Sequence, residues 1–378
     1  MPVEYLKKAP PAAAAEDEQT RLRVREIIAA VEKGGEAAAQ KYAAELDGWT
    51  GDIIASPEAR RAAADKTPPQ LKDDIQFMLR QVRRFAEEQK NRLGGFQTEI
   101  YPGLVAGQKH MPVQTAGCYV PGGRYAHIAS AVMSAATAKT AGAETVVACS
   151  PPRAEYGGIH PAVLYALDAG GADVVLNLGG AHGVAALAFG LFSGHPADVL
   201  AGPGNQFVAE AKRQLYGRAG IDMVAGPTEI LVIADDSADA DIVAADLAGQ
   251  AEHGPNSPAW LAALSPKLGR EVLAKVPECI AALPQPNRGH AEKSWEDYGE
   301  IAIFGAREEA AAWSDMHAPE HLEVHCAGLE WWLARLKNYG SLFLGEETTV
   351  AYGDKISGPN HILPTRGAAR YTGGLSVA

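Results

Sequence analysis

The chain has 378 residues, of which 47% are hydrophobic and 21% are charged, and its formal net charge is -12. This composition is typical of a globular protein, and the length suggests about two or three domains. No long run of Lys or Arg supplies the positive field that nucleic acid requires, so nucleic acid is not an expected partner. The polar residues 1–8 are not followed by the apolar segment of a signal peptide, and no apolar run is long enough to span a bilayer. We therefore expect a cytoplasmic protein without membrane contact.

The four cysteines, Cys118, Cys149, Cys279 and Cys326, are far apart and form no C-x-x-C pair. A redox motif or a thiolate zinc site is therefore not indicated. Cys118 and Cys149 lie in apolar, strand-like stretches, where a free cysteine behaves as a small hydrophobic residue. We interpret all four as reduced packing residues.

Helical patterns predominate up to about residue 95. An Ala-rich arm covers residues 10–15, and apolar residues recur at helical spacing in 23–31 and again in 75–85. From Ala116 onward, short apolar runs end in Gly or Pro and are followed by Ala-rich helical segments. This alternation predicts an α/β fold.

Several apolar runs are predicted to be parallel strands separated by crossover helices. In a parallel sheet of this kind the binding crevice lies at the carboxyl ends of the strands, where the Gly-rich turns fall. A second α/β stretch begins with the run at 229–234. The predicted strands are 118–120, 146–148, 174–176, 199–200, 229–234, 301–304 and 341–344.

The turn from Gly179 to Gly183 follows a predicted strand and precedes a helix. It could present backbone N–H groups to a phosphate, aided by the helix dipole. It is not a strict G-x-G-x-x-G, however, and an ordinary tight turn is the commoner explanation because Gly readily adopts positive φ. Similar turns occur at 122–123 and 202–205. For the three turns together, binding of a nucleotide-sized ligand and ordinary tight turns are about equally good explanations.

A second motif is the helix that Ser237 or Asp239 can cap and that Gly254 ends. Gln250 and His253 stand three residues apart on one face at its open end, where two potential metal ligands meet. A solvated polar helix end is the commoner alternative, since a Gln oxygen is an unusual zinc ligand.

Histidines recur at every fourth position in His317, His321 and His325. Because proline suits the first helical turn, we expect Pro319 to start a helix that Glu320 and His321 open, near its positive end. A neutral imidazole beside a carboxylate suits general-base catalysis near neutral pH. Plain surface polarity is the alternative.

Residues 352–361 are predicted to form a long loop that carries Asp354, Asn360 and His361. Loops that present polar groups on a rigid scaffold are frequent functional sites. A polar loop without a function explains the pattern equally well.

Together these segments resemble histidinol dehydrogenase and its relatives. The matching segments occur in the family's order across nearly the whole chain, which is far more specific than any single motif. They are residues 119–123, 202–205, 221–229, 250–253, 318–322 and 360–365.

The resemblance implies two incomplete Rossmann-like, doubly wound α/β domains with an N-terminal helical arm at 1–15. One domain, near 119–228, would face NAD. The other, split across 16–118 and 229–376, would carry zinc and the catalytic residues. It also implies a homodimer.

Residue by residue, the resemblance assigns roles to the positions that match the family. The zinc ligands would be Gln250, His253 and Asp354; the catalytic pair Glu320 and His321; the substrate contacts Thr228 and His361; and the NAD contacts Tyr119, His182 and Asn205.

The family's activity is the oxidation of a primary alcohol to a carboxylate in two NAD-dependent steps. Zinc would hold the substrate, His321 would take the hydroxyl proton as hydride leaves, and Glu320 would help to activate water. A carboxylate, an imidazole and an amide oxygen leave positions open for substrate, as a catalytic zinc site requires.

The sequence departs from the family pattern at three places. His182 stands where Gln is usual, and Thr228 where Ser is usual. The family continues into a small tail domain that supplies a further Glu and a fourth zinc ligand, a His, usually to the partner subunit, whereas this chain stops at Ala378. The expectation is that this tail domain is absent, either because the sequence is truncated or because zinc lacks one ligand. A metal- or ligand-binding homologue with little turnover is the alternative of another class.

Details outside the shared core look more like the family's sulfopropanediol branch. They lie at residues 4–8, 116–118, 124–130, 331–332 and 339–347. Members of that branch oxidise 2,3-dihydroxypropane-1-sulfonate to sulfolactate, with oxidation of L-histidinol as the alternative. A sulfonate needs cationic or donor contacts. Arg124, Arg366 and Arg370 are candidates, and each is equally well explained as a surface or interface arginine.

Overall fold

The structure is a computed structural model that describes residues 3–10, 18–122 and 125–378. These residues form two compact units. Unit 1 comprises 3–10, 225–353 and 363–374, and unit 2 comprises 18–122, 125–224, 354–362 and 375–378. None of the described helices is both long and apolar enough to cross a membrane.

The strands and helices of the two units are numbered together in chain order. The strands are β1 (Glu4–Lys7), β2 (Phe96–Tyr101), β3 (Leu104–Gln108), β4 (Thr115–Tyr119), β5 (Thr145–Ser150), β6 (Val174–Asn177), β7 (Val199–Ala201), β8 (Gly220–Ile221), β9 (Ile230–Ala234), β10 (Ala259–Ala263), β11 (Gly299–Ile303), β12 (His321–His325) and β13 (Ser341–Leu344). The α-helices are α1 (Glu18–Tyr42), α2 (Pro57–Lys66), α3 (Pro69–Lys90), α4 (Ile128–Ala141), α5 (Pro161–Gly170), α6 (Gly180–Phe189), α7 (Gln206–Leu215), α8 (Ala240–Ala251), α9 (Pro266–Ala282), α10 (Asn287–Tyr298), α11 (Arg307–His317), α12 (Leu329–Arg335) and α13 (Val350–Lys355).

Unit 2 is built on a parallel sheet in the order β6-β5-β4-β7-β8. Strands β4 and β5 are buried almost throughout, as expected for a sheet covered by helices on both faces. The predicted strands of this sheet are confirmed. A separate antiparallel pair, β2 with β3, is exposed along its whole length.

The N-terminal helices belong to unit 2, which differs from the predicted split domain of 16–118 with 229–376. The buried faces of α1 and α3 explain the difference. Val24 and Val31 of α1 share one core cluster with Leu187 of α6. Leu79 of α3 shares the other cluster with Met133 of α4. Residues 354–362 also belong to unit 2.

Unit 1 is built on a sheet in the order β1-β11-β10-β9-β12-β13, in which β1 alone is antiparallel to its neighbour. Helices α8, α9 and α10 contribute to one core cluster and α11 and α12 to another, so both faces are covered. The α/β fold is thus confirmed. The predicted N-terminal arm contains a strand, β1, while the Ala-rich residues 11–15 lie outside the described part of the chain.

The four cysteines are free, as expected from the sequence. Cys118, Cys149 and Cys326 are buried. Burial raises the pKa of the Cys118 thiol to about 12. These side chains therefore act as packing residues.

The turn at Gly202 is held by a buried ion pair in unit 2. The Lys212 ammonium donates to the Gly202 carbonyl oxygen at 2.8 Å and contacts the Asp222 carboxylate at 2.5 Å. Asp222 accepts in turn from the Gly202 backbone N–H. Gly202 has φ 124°, and a Cβ there would lie 2.0 Å from the Tyr119 carbonyl oxygen, so only glycine fits.

Replacing Lys212 with methionine is expected to lower the free energy of unfolding by about 3 kcal/mol, because it leaves the Asp222 carboxylate buried without its cation. This loss lies at the lower end of the range expected for breaking a buried ion pair, because two backbone N–H groups still donate to Asp222. Denaturant unfolding measures the loss. Lys267→Met is the matched control. Because Lys267 is 79% exposed, its replacement should change the free energy of unfolding little. Equal losses in the two variants would contradict the argument.

Candidate active site

Glu320 and His321 stand where the chain enters β12, between α11 and the sheet of unit 1. Helix α11 ends at His317, and Ala318 follows in the left-handed conformation with φ 50°. The prediction of a helix beginning at Pro319 is wrong, since His321–His325 is a buried strand between β9 and β13. Proline is also common just after a helix ends, because it cannot continue the helix, and that is its role here.

The site lies at the amino ends of the strands of unit 1, not at their carboxyl ends. His321 is paired with Ile230, the first residue of β9. Thr228 and Glu229 immediately precede β9 and Glu320 immediately precedes β12, so these residues meet. The carboxyl-end rule of parallel sheets does not locate this site.

The Glu320 carboxylate is held in one orientation by two donors. Its Oε2 accepts from the Thr228 hydroxyl at 2.5 Å and from the Glu229 backbone N–H at 2.9 Å. The residue is 7% exposed. A buried carboxylate fixed in this way is positioned to act on a group brought to it.

The His321 ring is oriented by the backbone of the neighbouring strand. Its Nδ1 lies 3.0 Å from the Glu229 carbonyl oxygen and 3.5 Å from Glu320 Oε2. Because a carbonyl oxygen only accepts, this contact places the proton of a neutral imidazole on Nδ1. The lone pair then resides on Nε2, the form that a general base needs.

Gln250 joins this group from the last turn of α8. Its amide nitrogen donates to the Thr228 hydroxyl, which itself donates to Glu320. Gln250 is 3% exposed, whereas His253, just after the helix, is exposed. The expected N-cap of α8 is confirmed at Asp239.

The buried carboxyl of Glu229 completes the group and was not singled out from the sequence. It is 3% exposed, and its Oε1 accepts from the Arg366 backbone N–H at 3.1 Å. Burial, followed by the neighbouring charge of Glu320, raises the pKa of Glu229 to about 8. The only signal in the sequence was an acidic residue directly before a strand of five apolar residues.

The predicted arginines have different surroundings. Arg366 is exposed, has φ 54°, and packs over Gly226, where a Cβ would lie 2.5 Å from the arginine Nε. The Arg370 guanidinium donates to the backbone oxygens of Gly367 and Met316. Arg124 lies outside the described residues. Arg366 is therefore the predicted arginine that adjoins Glu229.

Two further predicted residues are adjacent in unit 2. His361 Nδ1 lies 3.5 Å from the Asp354 carboxylate, and its Nε2 lies 3.0 Å from the Ser130 hydroxyl. Asp354 is in α13, so the predicted loop is helical at its start. The predicted zinc ligands belong to both units, Gln250 and His253 to unit 1 and Asp354 to unit 2, and the set remains a prediction.

The predicted NAD contacts all lie at the carboxyl end of the unit 2 sheet. The Tyr119 hydroxyl accepts from the Gly180 backbone N–H at 3.2 Å. His182 is fully buried, with Nε2 3.0 Å from the Asp47 carboxylate, which also accepts from the Gly179 N–H. These N–H groups at the start of α6 thus have partners within the chain. That they contact a phosphate remains a prediction.

Asn205 caps α7 and is exposed. Its side-chain oxygen accepts from the backbone N–H groups of Phe207 and Val208 at 3.0 Å and 3.2 Å. Asn205 therefore acts as the N-cap of α7, and its contact with NAD stays a prediction.

The fold and these contacts define an α/β protein with a buried imidazole and carboxylate suited to acid–base chemistry. The histidinol dehydrogenase family profile matches residues 11–378. A histidinol dehydrogenase homolog of Ruegeria pomeroyi is 57% identical over 377 residues, covering 100% of this chain and 87% of that protein. A sulfopropanediol 3-dehydrogenase of the same organism is 54% identical, covering 100% and 86%.

A solved structure agrees with these relatives. The crystal structure of histidinol dehydrogenase from Elizabethkingia anophelis matches with a TM-score of 0.90 and 31% identity, covering 98% of this chain and 84% of that one. The chain therefore belongs to the histidinol dehydrogenase family of NAD-dependent dehydrogenases.

Proposed function

We propose that this protein oxidises a small polar primary alcohol to its carboxylate in two NAD-linked steps. The arrangement of His321 carries the proposal: the Glu229 carbonyl fixes its ring, and the Glu320 carboxylate lies beside it. Nε2 of His321 accepts the hydroxyl proton as the carbon-bound hydrogen leaves as hydride. NAD, when bound, would supply the acceptor for that hydride, so that the alcohol becomes the aldehyde.

The second step needs water added to the aldehyde. Glu320 is held by Thr228 and the Glu229 N–H, so that its carboxylate can take a proton from water as the new C–O bond forms. The hydrate then loses a second hydride, for which a second NAD would be the acceptor, together with a proton, and becomes the carboxylate. Thr228 thus links Glu320 to Gln250 in addition to its predicted place near the substrate.

We further propose Gln250, His253 and Asp354 as zinc ligands. An amide oxygen, an imidazole and a carboxylate suit Zn²⁺. The amide nitrogen of Gln250 is already engaged by Thr228, which turns the amide oxygen away from that hydroxyl. When bound, zinc would orient the alcohol and stabilise negative charge on its oxygen. A homodimer and a cytoplasmic location complete the proposal.

The substrate that we propose is 2,3-dihydroxypropane-1-sulfonate, which would be oxidised to sulfolactate. The 54% identity to a protein named sulfopropanediol 3-dehydrogenase supports this choice, against 41% to a protein of Lactiplantibacillus plantarum named histidinol dehydrogenase. Arg366, exposed and adjoining Glu229, would supply the cation for the sulfonate. L-Histidinol, itself a cation, is the second candidate.

NADH formation with zinc, NAD and each alcohol separately tests the proposal. We expect turnover on the sulfonate with about two NADH per alcohol consumed, and little on L-histidinol. Arg366→Gln should raise KM for the sulfonate by about tenfold, the loss of one charged contact. Preferred turnover of L-histidinol would reverse the substrate assignment. Zinc binding without NADH from either alcohol would favour a binding protein.

A further inference from the structure

A second group of potential ligands lies deeper in unit 1. Glu323 and His325 follow His321 at alternate positions of β12, so all three side chains lie on one face of the strand. Asp246 faces them from α8, one turn before Gln250. One ligand atom each from Asp246, Glu323 and His325 lies within 4.8 Å of the others.

Neighbouring donors hold one oxygen of each carboxylate. The Thr349 hydroxyl donates to Asp246 Oδ1 at 3.0 Å, and the Val350 backbone N–H donates to Glu323 Oε1 at 3.1 Å. The remaining oxygens, Asp246 Oδ2 and Glu323 Oε2, are the ones that face the imidazole. Both carboxylates are thereby fixed with one oxygen directed at a common point.

The polar atoms around that point lack the hydrogen bonds that buried polar atoms normally make. Glu323 and His325 are 0% and 2% exposed. Among the described residues, Asp246 Oδ2, Glu323 Oε2 and both ring nitrogens of His325 make no hydrogen bond. Such buried groups are costly unless something satisfies them.

The spacing of the three ligand atoms fits a small metal ion. His325 Nε2 lies 3.5 Å from Glu323 Oε2 and 3.9 Å from Asp246 Oδ2. Two ligands bound at tetrahedral positions of Zn²⁺ are roughly 3.4 Å apart. Small shifts of the Asp246 side chain, the least buried of the three, would bring all three atoms into range.

The charges of the two carboxylates also favour a bound cation. The carboxylates of Asp246 and Glu323 are held close together in a buried place, where two negative charges repel each other. A divalent cation bound to two carboxylates and a neutral imidazole gives a neutral group. One imidazole with two carboxylates suits Zn²⁺ and its neighbours in the first transition series, whereas Ca²⁺ prefers six or more oxygen ligands.

We propose that Asp246, Glu323 and His325 bind a divalent transition-metal ion, with Zn²⁺ the first choice, at a site separate from Gln250, His253 and Asp354. The ion would join α8 to β12 beneath the catalytic residues. Its role would be to fix the distance between Gln250 and His321, whose elements it connects.

Zinc content of the full chain tests this. Chelator-treated protein is loaded with Zn²⁺ alone, desalted, and measured by mass spectrometry of the metal. His325→Gln and Asp246→Asn should each lower the content by about one ion per chain. His195→Gln, at an exposed histidine, is the matched control and should not. Equal content in all variants would overturn the proposal and assign the cluster to a shared proton.

A separate variant keeps the test decisive if His325→Gln does not fold. His253→Gln removes a proposed catalytic ligand and leaves the new cluster intact, so this variant should retain about one ion per chain. It should also keep the rise in Tm on adding Zn²⁺. A His253→Gln protein that binds no zinc would overturn the proposal, whatever its activity.

Discussion

Replacing His321 with glutamine is expected to lower kcat by about 10² to 10⁴-fold, the usual contribution of a general base. Glutamine can still donate to the Glu229 carbonyl oxygen as the imidazole does. It cannot take a proton at the position of Nε2, so the loss falls on the chemical step and not on substrate binding. Steady-state kinetics with the alcohol substrate measure this loss as a fall in kcat with KM little changed.

His195→Gln is the control for this substitution, because His195 is an exposed histidine of the other unit. Its kcat should match that of the unaltered protein. Thermal unfolding of both variants shows whether the fold is kept. A His321→Gln protein that is folded and retains most of its kcat would rule out the imidazole as the base.

Replacing Glu229 with glutamine is expected to make stability less sensitive to pH. The folded protein holds the Glu229 proton up to about pH 8, whereas an unfolded chain releases it near the ordinary value of 4.5. Stability from this carboxyl is therefore fully present below pH 4.5 and lost as the pH rises to 8. Glutamine keeps the neutral form throughout. As the pH rises, the free energy of unfolding of the variant should increase relative to that of the unaltered protein. The difference should reach at most about 5 kcal/mol, at roughly 1.4 kcal/mol per pKa unit.

Denaturant unfolding at several values from about pH 5 to pH 9 measures that difference. Glu347→Gln, at an exposed carboxylate, is the control and should give a curve parallel to that of the unaltered protein. Parallel curves for Glu229→Gln as well would show that the buried carboxyl does not hold its proton.

Regular elements were predictable because apolar periodicity reports burial. The runs ending at Val120, Ala148 and Leu176 are strands of one sheet, as expected from their Gly and Pro endings. His321–His325 was misjudged because proline accompanies both the start and the end of helices. The alternation of Leu322 and Val324 with polar residues was the better guide, and both are fully buried.

Contacts between distant segments were not predictable from spacing. Asp47 and His182 are 135 residues apart, and Ser130 and His361 are 231 apart. Nothing local in the sequence indicates that Glu229 lies against Glu320 either. The resemblance named Glu320 and His321, and only the packing of β9 against β12 shows which groups orient them.

The sheet against which each N-terminal helix packs was not predictable for a related reason. Amphipathic helices such as α1 and α3 show in their sequence that one face is buried, but not against which sheet. That choice depends on matching surfaces across long chain separations, here with α6 and α4.

Strand β1 has a consequence for handling the protein. Residues Glu4–Lys7 pair with β11 and cover what would otherwise be a bare edge of the unit 1 sheet. Unpaired strand edges are templates on which other chains add and aggregate. Tags or cleavage that displace Glu4–Lys7 would uncover that edge, so we expect such variants to aggregate more readily.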